Sequence, residues 1–156
     1  MSNLTLIHVA SGLLGIVCGS IAVAGVLRRR RLPVWNAIFL FSTAISCATA
    51  LVFLPSWGLT SAQLVNFFMI FLLAVAMYAR YVRRLEGNWP EVYALVAVGA
   101  LFSNVLITIA QSFQHVPALN ALAPTQDRPV YIAIKVVLIL TFTALALLAA
   151  RRARQS

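Results

Sequence analysis

Five long apolar segments, separated by short polar stretches, make up most of the chain. They cover about residues 4–27, 34–54, 62–82, 92–111 and 130–150. A helix needs about 20 mainly apolar residues to cross the hydrocarbon core of a bilayer, and each segment is long enough. Prolines stand at or beside the segment boundaries, where a missing backbone N–H costs least. The pattern predicts an all-α fold, in which residues 1–156 form a single polytopic bundle of five transmembrane helices.

The composition agrees with this pattern and argues against other classes of protein. Hydrophobic residues make up 62% of the chain, charged residues only 10%, and the mean hydropathy is +0.95. A soluble domain typically has about 45–50% apolar and about 25% charged residues. Neither a soluble enzyme nor a disordered tail is therefore expected, and the lipid bilayer is the expected surrounding of the chain.

The formal net charge of +9 is high enough for a nucleic-acid binder, but its distribution is that of a membrane protein. Ten of the twelve basic residues fall into three clusters, at residues 28–31, 80–84 and 151–154, with long apolar runs between them. Membrane proteins keep such clusters in cytoplasmic loops. This rule predicts an N-terminus outside and a C-terminus in the cytoplasm. We expect a multi-pass protein of the cell membrane, here the bacterial inner membrane, with no nucleic-acid partner.

Residue types that usually carry catalysis are scarce. Only three acids and two histidines are present, too few for a conventional carboxylate–histidine metal centre. Cys18 and Cys47 both lie inside predicted helices, where small packing residues are common. The sequence contains no recognisable catalytic triad, phosphate-binding loop or metal-hydrolase spacing. These observations leave open whether the chain is an enzyme, and they identify no cofactor.

The fourth helix carries the most informative pattern, a polar stripe along its outer half. The stripe residues follow one another at spacings of four, three and four, which places them on one helix face. They are Asn104, Thr108, Gln111 and His115. Such a face avoids lipid and turns toward other helices or a wet cavity. Residue counting puts His8 of the first helix and Lys135 of the fifth at the depth of Thr108. We predict an outward-facing polar pocket between helices one, four and five. Its expected ligand-binding residues are His8, Asn104, Thr108, Gln111, His115, Tyr131 and Lys135.

Several of these residues also have a simpler interpretation. Lys135 can extend its ammonium group to the outer headgroups, and His8 can be an interface residue or a hydrogen-bonded core residue. Asn104 can join helices by hydrogen bonds, and His115 can be an ordinary loop residue. The outer connection, residues 112–128, mixes apolar residues with two prolines, which favours a packed lid over the pocket. A loop lying on the headgroups is the alternative.

Small residues predict how the first two helices pack. Close backbone approach joins helices in lipid, and a spacing of four residues places small residues on one face. A tight pair of these helices is the favoured interpretation, and a seam between two copies of the chain is the alternative. The ridges comprise Ser11, Gly15 and Gly19 on the first helix, and Ser42, Ser46 and Ala50 on the second.

A histidine-bearing, glycine-rich helix followed by a basic turn opens the chain. It reads Leu6-Ile7-His8-Val9-Ala10-Ser11-Gly12, with Gly15 and Gly19 further along. This opening, together with Tyr78-Ala79-Arg80 near the end of the third helix, resembles small bacterial predicted membrane proteins of unknown function. The resemblance covers about residues 5–80. Such proteins often place a His-Arg pair after the basic turn, where this chain has Arg31-Leu32-Pro33. The resemblance implies no known reaction.

Three functions fit these features. The first is a binding or accessory protein whose outward pocket holds a small amphipathic ligand such as a lipid or quinone. The second is a redox protein that binds one haem b through His8 and His115, since two histidines are the minimum for bis-imidazole ligation. The third is a small transporter or a scaffold subunit, acting as a homo-oligomer or in a larger membrane complex.

Overall fold

The protein folds as a helical bundle. A computed structural model describes residues 3–52 and 61–155, and every regular element within these ranges is helical. The all-α class is therefore confirmed. The elements are α1 (Asn3–Leu27), α2 (Pro33–Val52), α3 (Ser61–Met77), a π-helical turn (Tyr78–Val82), α4 (Trp89–His115), α5 (Pro117–Leu122) and α6 (Pro129–Arg154).

Five helices are long and apolar enough to cross a membrane: α1, α2, α3 with its π-helical turn, α4 and α6. They contain 20 to 27 residues each, and about 20 suffice. The five long helices predicted from the sequence are thus confirmed, the last of them being α6. Residues 53–54, which the prediction gave to the second helix, lie outside the described residues.

Two helices extend further than their apolar segments predicted. α4 continues to His115, past the predicted end at residue 111, and α6 likewise continues past its predicted end, to Arg154. Apolar length does not set these ends, because the backbone hydrogen bonds of a helix continue through polar residues as well; the Val116 N–H, for example, donates to the Ser112 carbonyl at 2.9 Å. The Ser112 hydroxyl donates to the Thr108 carbonyl at 2.8 Å, and the His115 ring contacts the Gln111 carbonyl at 3.0 Å.

α4 occupies the centre of the bundle, since it packs against α1, α3 and α6. α1 and α2 form an antiparallel hairpin, α3 packs on α2 and α4, and α6 packs mainly on α4. The core between these helices is rich in alanine. Its alanines with 0% exposure are Ala76, Ala79, Ala94, Ala100 and Ala149. Such small side chains let helix backbones approach closely, which is how helices associate in membrane bundles.

The small-residue ridge of α1 faces other helices of the same chain. Ser11, Gly15 and Gly19 are all buried. A Cβ atom on Gly19 would lie 2.7 Å from a ring carbon of Phe39, and one on Gly15 would lie 3.0 Å from the Thr43 hydroxyl. Both neighbours belong to α2. The ridge is therefore the contact surface of the α1–α2 hairpin.

The arginine clusters gather at one end of the bundle, which we call the arginine end. Arg29, in the turn between α1 and α2, donates a hydrogen bond to the side chain of Gln155. Arg154 pairs with Glu91 in the first turn of α4. The loop after the π-helical turn leads directly into that same turn of α4. The other end of the bundle, which we call the opposite end, carries α5 and the start of α6.

Candidate functional site

The polar stripe of α4 is divided between the bundle interior and its surface. Asn104 is 5% exposed, and its side-chain amide donates to the Thr43 hydroxyl of α2 at 3.1 Å. Thr108 is half-buried, whereas Gln111 and His115 are exposed. The structure therefore places Asn104 between two helices and places the last two stripe residues at the surface of the opposite end.

His8 lies on α1 and turns its ring toward α2. Its Nδ1 atom is 3.0 Å from the Ser46 carbonyl oxygen and 2.9 Å from the Thr49 hydroxyl oxygen. Because a carbonyl oxygen only accepts, Nδ1 carries the proton in this contact. The Thr49 hydroxyl in turn lies 2.9 Å from the Ser46 carbonyl, to which it can donate. His8 thus joins α1 to α2 by hydrogen bonds near the opposite end of the bundle.

Tyr131 and Lys135 form a pair on α6, one helical turn apart. Tyr131 is 2% exposed and packs edge-on against Phe113 of α4, with ring centroids 5.3 Å apart. Lys135 is half-buried, and its Nζ atom lies 4.8 Å from the centroid of the Tyr131 ring. A cation over an aromatic face gains about 0.5–2 kcal/mol. The Lys135 ammonium therefore contacts the Tyr131 ring, which lies one helical turn closer to the opposite end of the bundle.

The connection between α4 and α6 packs against this end of the bundle. It contains α5, where the Asn120 side chain donates to the Phe113 carbonyl at 3.1 Å. Ala123, directly after α5, is buried in the same cluster as Phe113. The Thr125 hydroxyl donates to the Asp127 carboxylate and lowers the pKa of that carboxyl group. The connection is an ordered, packed segment, and its action as a lid stays a prediction.

A groove runs between α4 and α6, on the arginine side of Lys135. Its volume is about 290 Å³, near the lower limit of about 300 Å³ for small-molecule pockets. Its walls are Leu95, Val98, Gly99 and Phe102 of α4, and Ile139, Phe142, Thr143, Ala146 and Leu147 of α6. Lys135, Ile139 and Phe142 follow one another at spacings of four and three, which places them on one face of α6. The mainly apolar groove therefore leads toward a cation one helical turn beyond Ile139.

A second hollow, of about 280 Å³, lies at the arginine end between the first turn of α4 and the last turn of α6. Arg154 donates two hydrogen bonds to the Glu91 carboxylate there, at 2.6 and 2.8 Å. The Arg154 side chain is 72% exposed, so solvent screens the ion pair and it contributes little to stability. Its role is to join the end of α6 to the start of α4.

Sequence reasoning missed a buried contact between α2 and α4. The Tyr93 hydroxyl donates to Asn36 Oδ1 at 2.6 Å, and both side chains are buried. The Asn36 side-chain amide also donates to the Leu32 carbonyl at 2.7 Å. An asparagine inside an apolar segment was the available signal, because polar side chains in such segments join helices.

The groove was missed for a different reason. It is a gap between two packed helices, and no residue type marks such a gap in the sequence. The only hint is the presence of two small residues, Gly99 on α4 and Ala146 on α6, among larger apolar ones.

Comparisons with protein-family models, with curated proteins and with solved structures find no match for this chain. The resemblance of residues 5–80 to small bacterial membrane proteins stays an expectation from the sequence.

Proposed function

We propose that the chain is an integral membrane protein that holds one amphipathic molecule, a lipid or a quinone, in the groove between α4 and α6. The five long helices span the bacterial inner membrane in this proposal, with the N-terminus outside and the arginine end in the cytoplasm. The protein then acts in a binding or accessory role. The observation that carries the proposal is the position of Lys135. It lies on the same face of α6 as the groove residues Ile139 and Phe142, one helical turn beyond Ile139.

The groove suits the apolar chain of such a molecule. Its walls are aliphatic and aromatic apart from Thr143. Ile139 and Leu147 are 51% and 55% exposed, so the groove opens sideways along the outside of the bundle. A ligand can then enter from the bilayer without passing through water. Lipid tails are as apolar as these walls, so chain burial alone selects few molecules, and selection falls to the polar end.

Lys135 supplies that polar end. An ammonium group at the bilayer centre costs about 2.5–3.5 kcal/mol on insertion scales, and its contact with Tyr131 returns about 0.5–2 kcal/mol. The difference between this cost and this gain leaves an unfavourable free energy of up to about 3 kcal/mol. A phosphate oxygen or a quinone carbonyl that accepts a hydrogen bond from the ammonium can offset it. Gln111 and His115 are exposed at the same end, but they lie nine and thirteen residues beyond Phe102, on the face of α4 that turns away from the groove.

Asn104 and His8 have a different role in this proposal. Their hydrogen bonds go to Thr43 and to Ser46 and Thr49, all on α2. We assign both to helix packing. The ligand site then comprises Tyr131 and Lys135 together with the groove, and Thr108, Gln111 and His115 lie outside it.

The proposal is tested on the full-length chain purified in a mild detergent. Mass spectrometry of the extracted lipids and quinones should find one molecular class retained at about one molecule per chain. The absorption spectrum of the same sample, oxidised and reduced, tests the haem alternative, since a bis-histidine haem absorbs strongly in the visible range.

Two threonines give a matched pair of variants for the groove. Thr143 lines the groove, whereas Thr141 lies on another exposed face of α6. Thr143→Phe should fill the groove and lower ligand retention severalfold, and Thr141→Phe should leave it unchanged. Lys135→Leu should weaken retention by about tenfold, which corresponds to about 1.4 kcal/mol, and Lys135→Arg should keep most of it. Equal retention by the two phenylalanine variants would show that the groove is not the site.

A further inference from the structure

Two arginines at the arginine end rest on aromatic rings. The Arg80 guanidinium carbon lies 5.7 Å from the centroid of the Tyr93 ring, and that of Arg83 lies 5.6 Å from the Trp89 ring. Trp89 and Tyr93 are four residues apart on α4, so their rings share one face and are neighbours. The two guanidinium groups are thereby held over adjacent rings. We call these four residues the arginine–aromatic cluster.

Other side chains hold both rings of this cluster in place. Tyr93 is 3% exposed and donates its hydroxyl hydrogen to Asn36. Trp89 packs edge-on against Tyr78, with ring centroids 5.2 Å apart. The backbone also holds the arginines in place, because the Arg83 N–H donates to the Tyr78 carbonyl at 3.0 Å and closes the π-helical turn. The cluster is therefore an ordered surface.

The hydrogen-bond donors of both guanidinium groups stay available. Each guanidinium has five N–H donors around its edge, more than a cation–π contact with one ring can occupy. All three acids of the chain lie within residues 3–52 and 61–155, and the ion pair found there joins Glu91 to Arg154. Among the described residues, neither Arg80 nor Arg83 forms an ion pair with a carboxylate. A guanidinium with unoccupied donors can bind a phosphate through two parallel hydrogen bonds.

We infer that Arg80 and Arg83 bind the phosphodiester of an anionic phospholipid such as phosphatidylglycerol. This inference rests on the membrane insertion proposed above, but it concerns a site at the other end of the bundle from Lys135. The surface that leads to the cluster is apolar and exposed, with Phe71 of α3 at 62% and Val82 of the π-helical turn at 63% exposure. The acyl chains of the lipid would lie along that surface while its phosphate meets the two guanidinium groups. Basic sites between helices on the cytoplasmic side bind anionic headgroups in this way.

Native mass spectrometry of the full-length protein in neutral detergent tests the inference. Phosphatidylglycerol and phosphatidylcholine are added in equal amounts, and the bound molecules are counted. The double variant Arg80→Gln, Arg83→Gln should lower the preference for phosphatidylglycerol by about tenfold or more, since it removes the bidentate hydrogen bonds to the phosphate. The control Arg151→Gln, Arg152→Gln removes the same charge at the same end, outside the cluster. We expect it to change the preference much less, because exposed arginines that no ring holds act only through the screened surface charge.

A charge-conserving variant separates the geometry of the cluster from its charge. Arg80→Lys with Arg83→Lys keeps two cations but loses the planar, bidentate groups, so the preference should still fall several-fold. Equal losses in the glutamine variant and its control, or full binding by the lysine variant, would overturn the inference. Inorganic phosphate is added in a second arm. If it displaces phosphatidylglycerol at millimolar concentration, the site serves free phosphate and the lipid assignment is wrong.

The groove provides an independent readout in the same samples. The arginine variants should retain the groove ligand at the wild-type level. If they lose it too, the bundle has been disturbed, and the lysine variant then decides the inference alone. If the wild-type protein shows no groove ligand yet prefers phosphatidylglycerol, the proposed function fails while the arginine–aromatic cluster stands.

Discussion

Replacing Gly19 by alanine tests the packing of α1 against α2 with a single methyl group. The new Cβ atom would lie 2.7 and 2.8 Å from two carbons of the Phe39 ring and 3.1 Å from Leu101 Cδ1. Phe39 is 0% exposed, so its ring has no free space into which to move. Gly12 on the same helix is the matched control, because its Cβ would lie 3.4 Å from the Ser46 hydroxyl, an ordinary contact.

The two substitutions should differ in sign. Alanine is favoured over glycine in a helix interior by about 0.5–1 kcal/mol, and this gain applies at both positions. Overpacking of a buried site costs about 1–3 kcal/mol, and this cost applies only at Gly19. Gly12→Ala should therefore stabilise the protein by up to about 1 kcal/mol. Gly19→Ala should destabilise it by up to about 2.5 kcal/mol.

Thermal unfolding of the full-length chain in detergent measures the difference. One kcal/mol shifts Tm by about 2–4 °C for a chain of this size, so a difference of about 1–3 kcal/mol gives about 2–12 °C between the two variants. Both variants should show the same circular dichroism before heating. Equal Tm values would refute the reasoning, since they would mean that α1 and α2 do not approach as closely at Gly19 as described.

Two further predictions concern the orientation of the chain and a buried polar contact. Asn3→Cys and Gln155→Cys, each made in a background without other cysteines, should react with an impermeant thiol reagent from opposite faces of the membrane, and labelling from one face would contradict the five-span arrangement. Tyr93→Phe removes the donor to Asn36 and should destabilise the protein by about 1–3 kcal/mol, because it leaves a buried acceptor unsatisfied. Tyr81→Phe, at an exposed position, should have no effect on Tm, and an equal shift in both would contradict the assigned hydrogen bond.

The five long helices could be predicted because their signal is local. A run of about 20 apolar residues is nearly sufficient to specify a membrane-spanning helix, whatever its neighbours are. The helix ends were less predictable, because the backbone hydrogen bonds that continue a helix do not depend on apolar side chains. Ser112 and His115 are polar, yet both lie within α4, where the Val116 N–H donates to the Ser112 carbonyl at 2.9 Å.

The candidate site was harder to predict because it depends on which helices are neighbours. Spacing along α4 correctly grouped Asn104 with Gln111, but it did not show that the same stripe meets different surroundings at different heights. Asn104 faces α2, where Thr43 accepts its hydrogen bond, whereas Gln111 lies beyond that contact and is exposed. His8 was expected beside Lys135 from its depth alone, and depth says nothing about the direction around the bundle axis in which the ring points.

The partners of two polar side chains on α2 are synthesised well after α2 itself. Tyr93 follows Asn36 by 57 residues, and Asn104 follows Thr43 by 61. At a synthesis rate of about 5–20 residues per second, roughly 3–12 s pass between the synthesis of these α2 residues and that of their partners on α4. A polar group without a partner costs several kcal/mol in hydrocarbon, so early release of the hairpin into lipid would be unfavourable. In the membrane setting proposed here, biogenesis would therefore favour holding the hairpin at the insertion machinery until α4 arrives and releasing the three helices together.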